Sequence, residues 1–231
     1  ILLEKLCRIP GIQWIRVLYC YPEEIYPALI ETMKKEKKIC HYLDLPIQHC
    51  SDRILKRMGR RTTKQELVDI VRTLRREIPD IILRTTLITG FPGETQEDHE
   101  ELMEFIDAME FDRLGVFTYS AEEDTPAARM PDQIEEEVKL DRQAELMELQ
   151  QEISLDKGNE RIGTEVEVMI EGKVADENAY VGRTYGDAPN VDGYIFVNTD
   201  TELMSGDFAL VHVTGALEYD LIGELKDEYT E

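Results

Sequence analysis

The chain has 231 residues, 42% of them hydrophobic and 32% charged, and a formal net charge of −23. That length suits one large domain or two smaller ones around a buried core, and the clustered apolar residues exclude wholesale disorder. No apolar stretch approaches the roughly 20 residues of a membrane span, which excludes a helical membrane protein and leaves a cytoplasmic location as the expectation.

The opening ILLEKLCRI reads as the second half of an amphipathic helix. WIRVLYC (14–20) predicts a strand, and HYLDLPIQH (41–49) a second that ends near Pro46. Ser51 is placed to cap the short helix that follows, with Ile54, Leu55 and Met58 facing inward. Thr63-Lys64-Gln65-Glu66 fits a capping box, and Leu67, Ile70, Val71 and Leu74 then form one helical stripe. IILRTTLITG (81–90) predicts the strongest strand. FPGET turns it into a helix with Leu102, Phe105, Ile106 and Met109 at helical spacing, and DRLGVFTYS (112–120) predicts a fourth strand.

Strands alternating with helices through short links demand parallel pairing with right-handed crossovers. Four strands make an incomplete or open α/β sheet, not a closed eight-stranded barrel. Residues 121–133, polar and containing two prolines, read as a linker or lid. A charged helix is predicted from about Ile134 to Leu155, its apolar stripe made of Ile134, Val138, Leu146, Leu149 and Ile153, widened by Leu140, Ala144 and Met147. After Gly158 the pattern changes to alternation broken by turn signals (GDAPNVDG, MSGD), as in a small antiparallel barrel of about five strands. The expected organisation is residues 1–131, an incomplete β/α unit; 132–160, a connecting helix; and 161–231, the small β-barrel.

In parallel α/β folds, sites gather at the C-terminal ends of strands. Three polar clusters fall there: Pro46–Asp52, Thr89–Thr95 and Thr118–Ser120. The glycines of Gly90–Thr95 either let a ligand approach the backbone or make a plain tight turn. Gln48 offers both donor and acceptor groups suited to ribose hydroxyls or an amino-acid moiety. His49 is either a proton-transfer group or a hydrogen-bonded edge histidine. Arg84, inside an apolar strand, needs an anion: Asp44 as a structural pair, or a ligand carboxylate. The run Arg53, Lys56, Arg57, Arg60, Arg61 is either a solvated helix face or an anion-binding patch. Residues 132–231 hold 26 acidic against 7 basic side chains, −19 of the −23. Such a surface repels phosphate backbones and attracts basic partners, or simply aids solubility.

Read in order, PIQHCSDRILKRMGRR, LRTTLITGFPGETQEDHEEL, FTYSAEEDTPA and GRTYGDAPNVDG resemble the methylthiotransferase branch of the radical S-adenosylmethionine (SAM) enzymes over nearly the whole chain. The Gln48-His49 pair, the RTYGDAPNVDG stretch and the YDLIGEL ending are similar to the members that modify a ribosomal protein; tRNA-modifying relatives usually carry Gln-Ser at the pair. The resemblance implies a partial radical-SAM (β/α) barrel followed by a TRAM domain. It implies S-adenosylmethionine and two 4Fe-4S clusters as cofactors. One S-adenosylmethionine is cleaved to a 5′-deoxyadenosyl radical and another supplies the methyl group, so that methylthio is installed on the β-carbon of an aspartate in small-subunit ribosomal protein twelve.

By the same resemblance Ile88 and Gly90 contact adenine, Gln48 meets the ribose or methionine part, and Arg84 and Ser51 are further cofactor contacts. His49 and Tyr119 face the substrate. The acidic C-terminal part is expected to meet a basic ribosomal protein rather than tRNA, with the protein monomeric. Cys7, Cys20, Cys40 and Cys50 do not match the C-x-x-x-C-x-x-C cluster loop and read as buried reduced thiols. No metal ligand is therefore expected within the chain, which is expected to be a C-terminal piece, inactive alone. A tRNA methylthiotransferase and a non-catalytic acidic docking module are the rival readings.

Overall fold

The computed structural model describes residues 1–226. The chain divides into two packed units, Ile1–Gln150 and a second that begins at Gln151. The first contains α1 (Leu2–Cys7), β1 (Ile15–Val17), α2 (Pro27–Lys35), β2 (Ile39–Asp44), α3 (Asp52–Arg57), α4 (Lys64–Glu77), β3 (Ile82–Thr89), α5 (Gln96–Met109) and β4 (Arg113–Thr118). All three strand pairs are parallel, in the order β1-β2-β3-β4, so the α/β alternation yields an open four-stranded sheet. The first strand is shorter than the run 14–20 suggests. Tyr19 adopts a positive φ of 58° and donates its N–H to the Asp44 carboxylate at 3.2 Å instead of extending the ladder.

Strict alternation along β3 separates the two faces of the sheet. Leu83, Thr85, Leu87 and Thr89 are buried, whereas Ile82, Arg84, Thr86 and Ile88 are half-buried. In the apolar stripes of α4 and α5, Leu74, Leu102 and Ile106 are fully buried, each contributing about 2 kcal/mol, whereas Ile70 is half-buried. Helix α4 opens on the expected capping box, in which Thr63 N–H donates to Glu66 at 2.8 Å. A second box, Thr95 with Asp98, opens α5. Ser51 does precede α3 but makes no capping bond. Its hydroxyl donates to Asp98 at 2.7 Å, a charge-assisted bond that ties the start of α3 to α5.

The long helix α6 spans Glu136–Glu160. The expected apolar stripe holds only in part. Leu146 and Ile153 are buried as expected, but Val138 and Leu140 are exposed, while Lys139, Arg142 and Gln150 are buried. Residues 139–150 of α6 run alongside the edge strand β4 and its flanking residues, whose carbonyls need donors: Lys139 to Tyr119 O (3.0 Å), Gln143 to Val116 O (2.6 Å) and Gln150 to Phe111 O (2.8 Å).

The second unit is a closed barrel of β5 (Glu165–Lys173), β6 (Ala179–Thr184), β7 (Ile195–Asn198), β8 (Phe208–Ala216) and β9 (Leu221–Leu225), in the order β5-β6-β7-β9-β8. Four pairs are antiparallel. The β7–β9 seam that completes the closure is parallel, a detail that alternation alone does not encode. Val168, Ile170, Ile195, Val197, Val211 and Val213 fill the interior with no exposed surface. The GRTYGDAPNVDG motif forms the β6–β7 loop, in which buried Thr184 donates to buried Asp187 at 2.7 Å. Among the described residues, no helix is long and apolar enough to cross a membrane.

Candidate functional site

Past Asp44 the chain leaves β2, and Gln48 rejoins the sheet through an isolated parallel bridge to Leu87. Gln48 N–H donates to Thr86 O and Gln48 O accepts from Ile88 N–H, both at 2.9 Å. To make this bridge Gln48 takes a φ of +70°, a left-handed conformation that a non-glycine residue adopts only when its surroundings impose it. Its side-chain oxygen, Oε1, is buried without a hydrogen-bond partner. A buried orphan acceptor on a strained backbone makes Gln48 a candidate for a polar contact from a ligand or water.

Gln48 and Thr86 line a hollow of about 210 Å³ with Tyr19, Cys20, Tyr21, Pro46 and Arg60. The Arg60 guanidinium stacks 4.9 Å from the Tyr21 ring centroid and donates to Pro46 O at 2.6 Å. Arg84 stands beside this hollow. Its Nη1 donates to Asp44 at 3.0 Å and to the Thr86 hydroxyl at 3.3 Å, so the anion it requires is the structural Asp44. A second hollow of about 560 Å³, between residues 22–30 and 61–73, contains none of the candidate contact residues.

The remaining candidates lie elsewhere. Ile88 packs beside Phe91, Tyr119 and Ile54. Gly90 has a φ of +67°, and a Cβ there would lie 2.2 Å from Lys139 Cγ, so the missing side chain makes room for the lysine stem. Tyr119 is 8% exposed, edge-on to Phe91 at 5.2 Å, and its hydroxyl is buried without a partner. His49 does not reach the open face, because its ring is fully buried. Nδ1 accepts the backbone N–H groups of Cys50 (3.0 Å) and Ser51 (2.9 Å), which leaves the proton of the neutral ring on Nε2.

His49 Nε2 lies 3.5 Å from Glu94 Oε2. Glu94 is buried, accepts Gly90 N–H at 2.9 Å and pairs with Arg142 at 2.8 Å. Burial alone would raise the Glu94 carboxyl pKa, but the His49 N–H, the Gly90 N–H and the Arg142 guanidinium together hold it below the usual carboxylate range. In the basic run at and after α3, Lys56 and Arg61 are exposed, while three arginines are engaged within the chain, Arg53 also with the Asp98 carboxylate. Arg53, Arg57 and Arg60 donate to the carbonyls of Gly93, Pro92 and Pro46, bracing the two loops that carry Gln48 and Gly90. Glu94 lay within the Thr89–Thr95 cluster but was not singled out, and Lys139 and Arg142 were not candidates by sequence. The only signal for those two was a pair of cations three residues apart on a helix.

The Radical SAM superfamily profile matches residues 1–106 and the TRAM domain profile residues 162–225. The ribosomal protein uS12 methylthiotransferase RimO of Lachnoclostridium phytofermentans is 64% identical over 96% of this chain and 50% of its own length. The protein of the same name from Clostridioides difficile is 49% identical over 97% of this chain and 50% of its own. The chain belongs to the radical S-adenosylmethionine methylthiotransferase family. It spans about half the length of the curated relatives it matches. Coproporphyrinogen III oxidase HemN from Escherichia coli, a radical SAM enzyme, shares the fold with a TM-score of 0.52 at 15% identity, over 74% of this chain and 46% of its own.

The cofactors of this methylthiotransferase family can be tested against the residues present. The strand tips fit part of S-adenosylmethionine: an orphan amide acceptor, a hydroxyl from Thr86 and two tyrosines border a space below the roughly 300–1,000 Å³ of a complete ligand site. A 4Fe-4S cluster does not fit. Cys7, Cys40 and Cys50 are buried and Cys20 half-buried, and among the described residues no three His, Cys, Asp or Glu side chains are grouped to hold a metal. Burial pushes the Cys50 thiol up to about 12, far from the thiolate a cluster needs.

Proposed function

We propose that the whole protein is a radical S-adenosylmethionine methylthiotransferase that adds a methylthio group to the β-carbon of an aspartate in ribosomal protein uS12. The observation that carries this is the 64% identity, over 96% of the chain, to a relative bearing that name. In this reading residues 1–131 are the partial barrel, 132–160 the connecting helix and 161–231 the TRAM barrel, working as a cytoplasmic monomer.

Gln48 meets the ribose or methionine part of S-adenosylmethionine, with Thr86 beside it, while Ile88 and Gly90, which do not line this hollow, would meet adenine only where the ligand extends past it. Arg84, held by Asp44, fixes the wall. Ser51, spent on Asp98, supports the loop rather than the ligand. Tyr119, with its hydroxyl buried, and the fully buried His49 shape the wall from behind rather than meeting the substrate. When bound, the cofactor supplies a radical able to take hydrogen from an unactivated carbon, which no side chain here can do. These residues orient it and exclude water. The two clusters of the family lie outside the chemistry of these residues, and no step is assigned to them.

The outward row of the TRAM barrel, with Glu165, Glu167 and Glu224 exposed, suits a basic protein and opposes tRNA. The test is turnover by the complete, cluster-reconstituted protein offered uS12 and bulk tRNA in parallel. Methylthio addition to a uS12 aspartate is expected. Addition to tRNA instead contradicts the substrate, and no cleavage of S-adenosylmethionine with either favours a docking module.

A further inference from the structure

We propose that Glu94 and His49 are positioning residues that hold Gln48 in its ligand-ready conformation. This inference rests on the assignment of Gln48 to the cofactor site and goes beyond it, because neither residue touches the hollow.

The Gln48 backbone is strained, and its left-handed φ of +70° needs restraint on both sides. On one side are the two backbone bonds to β3. On the other is His49, whose fully buried ring is the next residue in the chain. Two bonds to Nδ1 from Cys50 and Ser51 pin that ring to its own loop. Nε2 then lies 3.5 Å from Glu94 Oε2, an electrostatic approach without a hydrogen bond, and the Glu94 oxygens accept Gly90 N–H and Arg142. A single buried charge therefore joins the β2 tip, the β3 tip and α6. Removing it leaves the Arg142 guanidinium and the Gly90 N–H without their shared acceptor in a dry site, and takes the nearby charge, 3.5 Å away, from the buried His49 Nε2, which makes no hydrogen bond of its own. The cheapest relief available to the His49 loop is for its neighbour, Gln48, to relax out of the left-handed region, which would swing Oε1 away from the hollow.

The experiment is a double-mutant cycle in the complete, cluster-reconstituted protein, read as the equilibrium dissociation constant for S-adenosylhomocysteine beside the melting temperature. Variants are Gln48→Ala, Glu94→Gln, the pair together, and His49→Asn. The last keeps an acceptor near the Nδ1 position for Cys50 and Ser51 but loses the reach to Glu94. Gln48→Ala, Glu94→Gln and His49→Asn are each expected to weaken binding about tenfold, and Glu94→Gln to add nothing in the Gln48→Ala background. A melting temperature that falls while affinity is unchanged in Glu94→Gln and His49→Asn overturns the inference. So does a Glu94→Gln penalty that persists undiminished without the Gln48 side chain. If Gln48→Ala itself binds normally, the assignment of Gln48 to the site is what fails, and the positioning role falls with it.

Discussion

Arg84 donates Nη1 to Asp44 Oδ1 at 3.0 Å across the β2–β3 seam, where the two residues are also paired in register. The other Asp44 oxygen takes the Tyr19 N–H, so this one carboxylate fixes the end of β2, the middle of β3 and the turn that walls the hollow. Asp44 is 2% exposed. Removing its partner with Arg84→Ala leaves a buried charge uncompensated and is expected to cost about 3 kcal/mol, read as a lower denaturant midpoint for the first unit. Replacing both residues with leucine is expected to restore much of that loss while enlarging the opening at Tyr19.

Two capping boxes of the same geometry carry different loads. Thr63→Ala removes an isolated cap and is expected to cost about 1 kcal/mol. Asp98→Ala should cost about twice as much by thermal unfolding. The Asp98 carboxylate serves the Thr95 N–H and hydroxyl, the Ser51 hydroxyl and Arg53 together.

The same groups set the response to acid. Burial would raise the Asp98 pKa, but the Thr95 N–H and the Ser51 and Thr95 hydroxyls, with Arg53, hold it below the ordinary value, and Glu94 is likewise lowered. A carboxylate whose folded pKa is depressed stabilises fully above its unfolded value, near 4, and loses that contribution as pH falls through the lower folded one. Stability of the first unit is therefore expected to drop below about pH 4, and Asp98→Asn to be less stable at neutrality but flatter with acid. A wild-type profile unchanged down to pH 2 would contradict this.

The barrel of the second unit has no room at two glycines. A Cβ on Gly223 would lie 2.5 Å from Val211 Cγ1 and 2.7 Å from His212 O, and one on Gly182 would lie 2.5 Å from Val168 Cγ1. Gly223→Ala is expected to destabilise the second unit by about 2 kcal/mol through overpacking, seen as a separate early transition in calorimetry.

The sequence was legible wherever burial is apolar and periodic. The β3 alternation, the α5 stripe of Leu102, Phe105, Ile106 and Met109, and the Thr63 cap all lie where local pattern and tertiary contact agree. It misled on α6, where Val138 and Leu140 are exposed and Lys139 and Arg142 are buried. Polarity predicts exposure only when the buried surface is apolar, and this helix covers carbonyls and a carboxylate. For Gln48 the residue type and its place at a strand tip were visible, but its left-handed backbone and orphan oxygen arise from a bridge to Leu87, a contact 39 positions away in the chain. Arg53, Arg57 and Arg60 were ambiguous for the same reason, since each donates to a backbone carbonyl distant in the chain that no side-chain pattern records.

The claim that the strand tips around Gln48 hold the nucleoside is tested most directly by photolabelling the complete protein with an azido-adenine analogue of S-adenosylmethionine and mapping the modified peptides. The label should fall within residues 19–21, 46–48 and 86–90 and be displaced by S-adenosylhomocysteine. Displaceable label confined to the hollow between residues 22–30 and 61–73, or to 162–225, would contradict it.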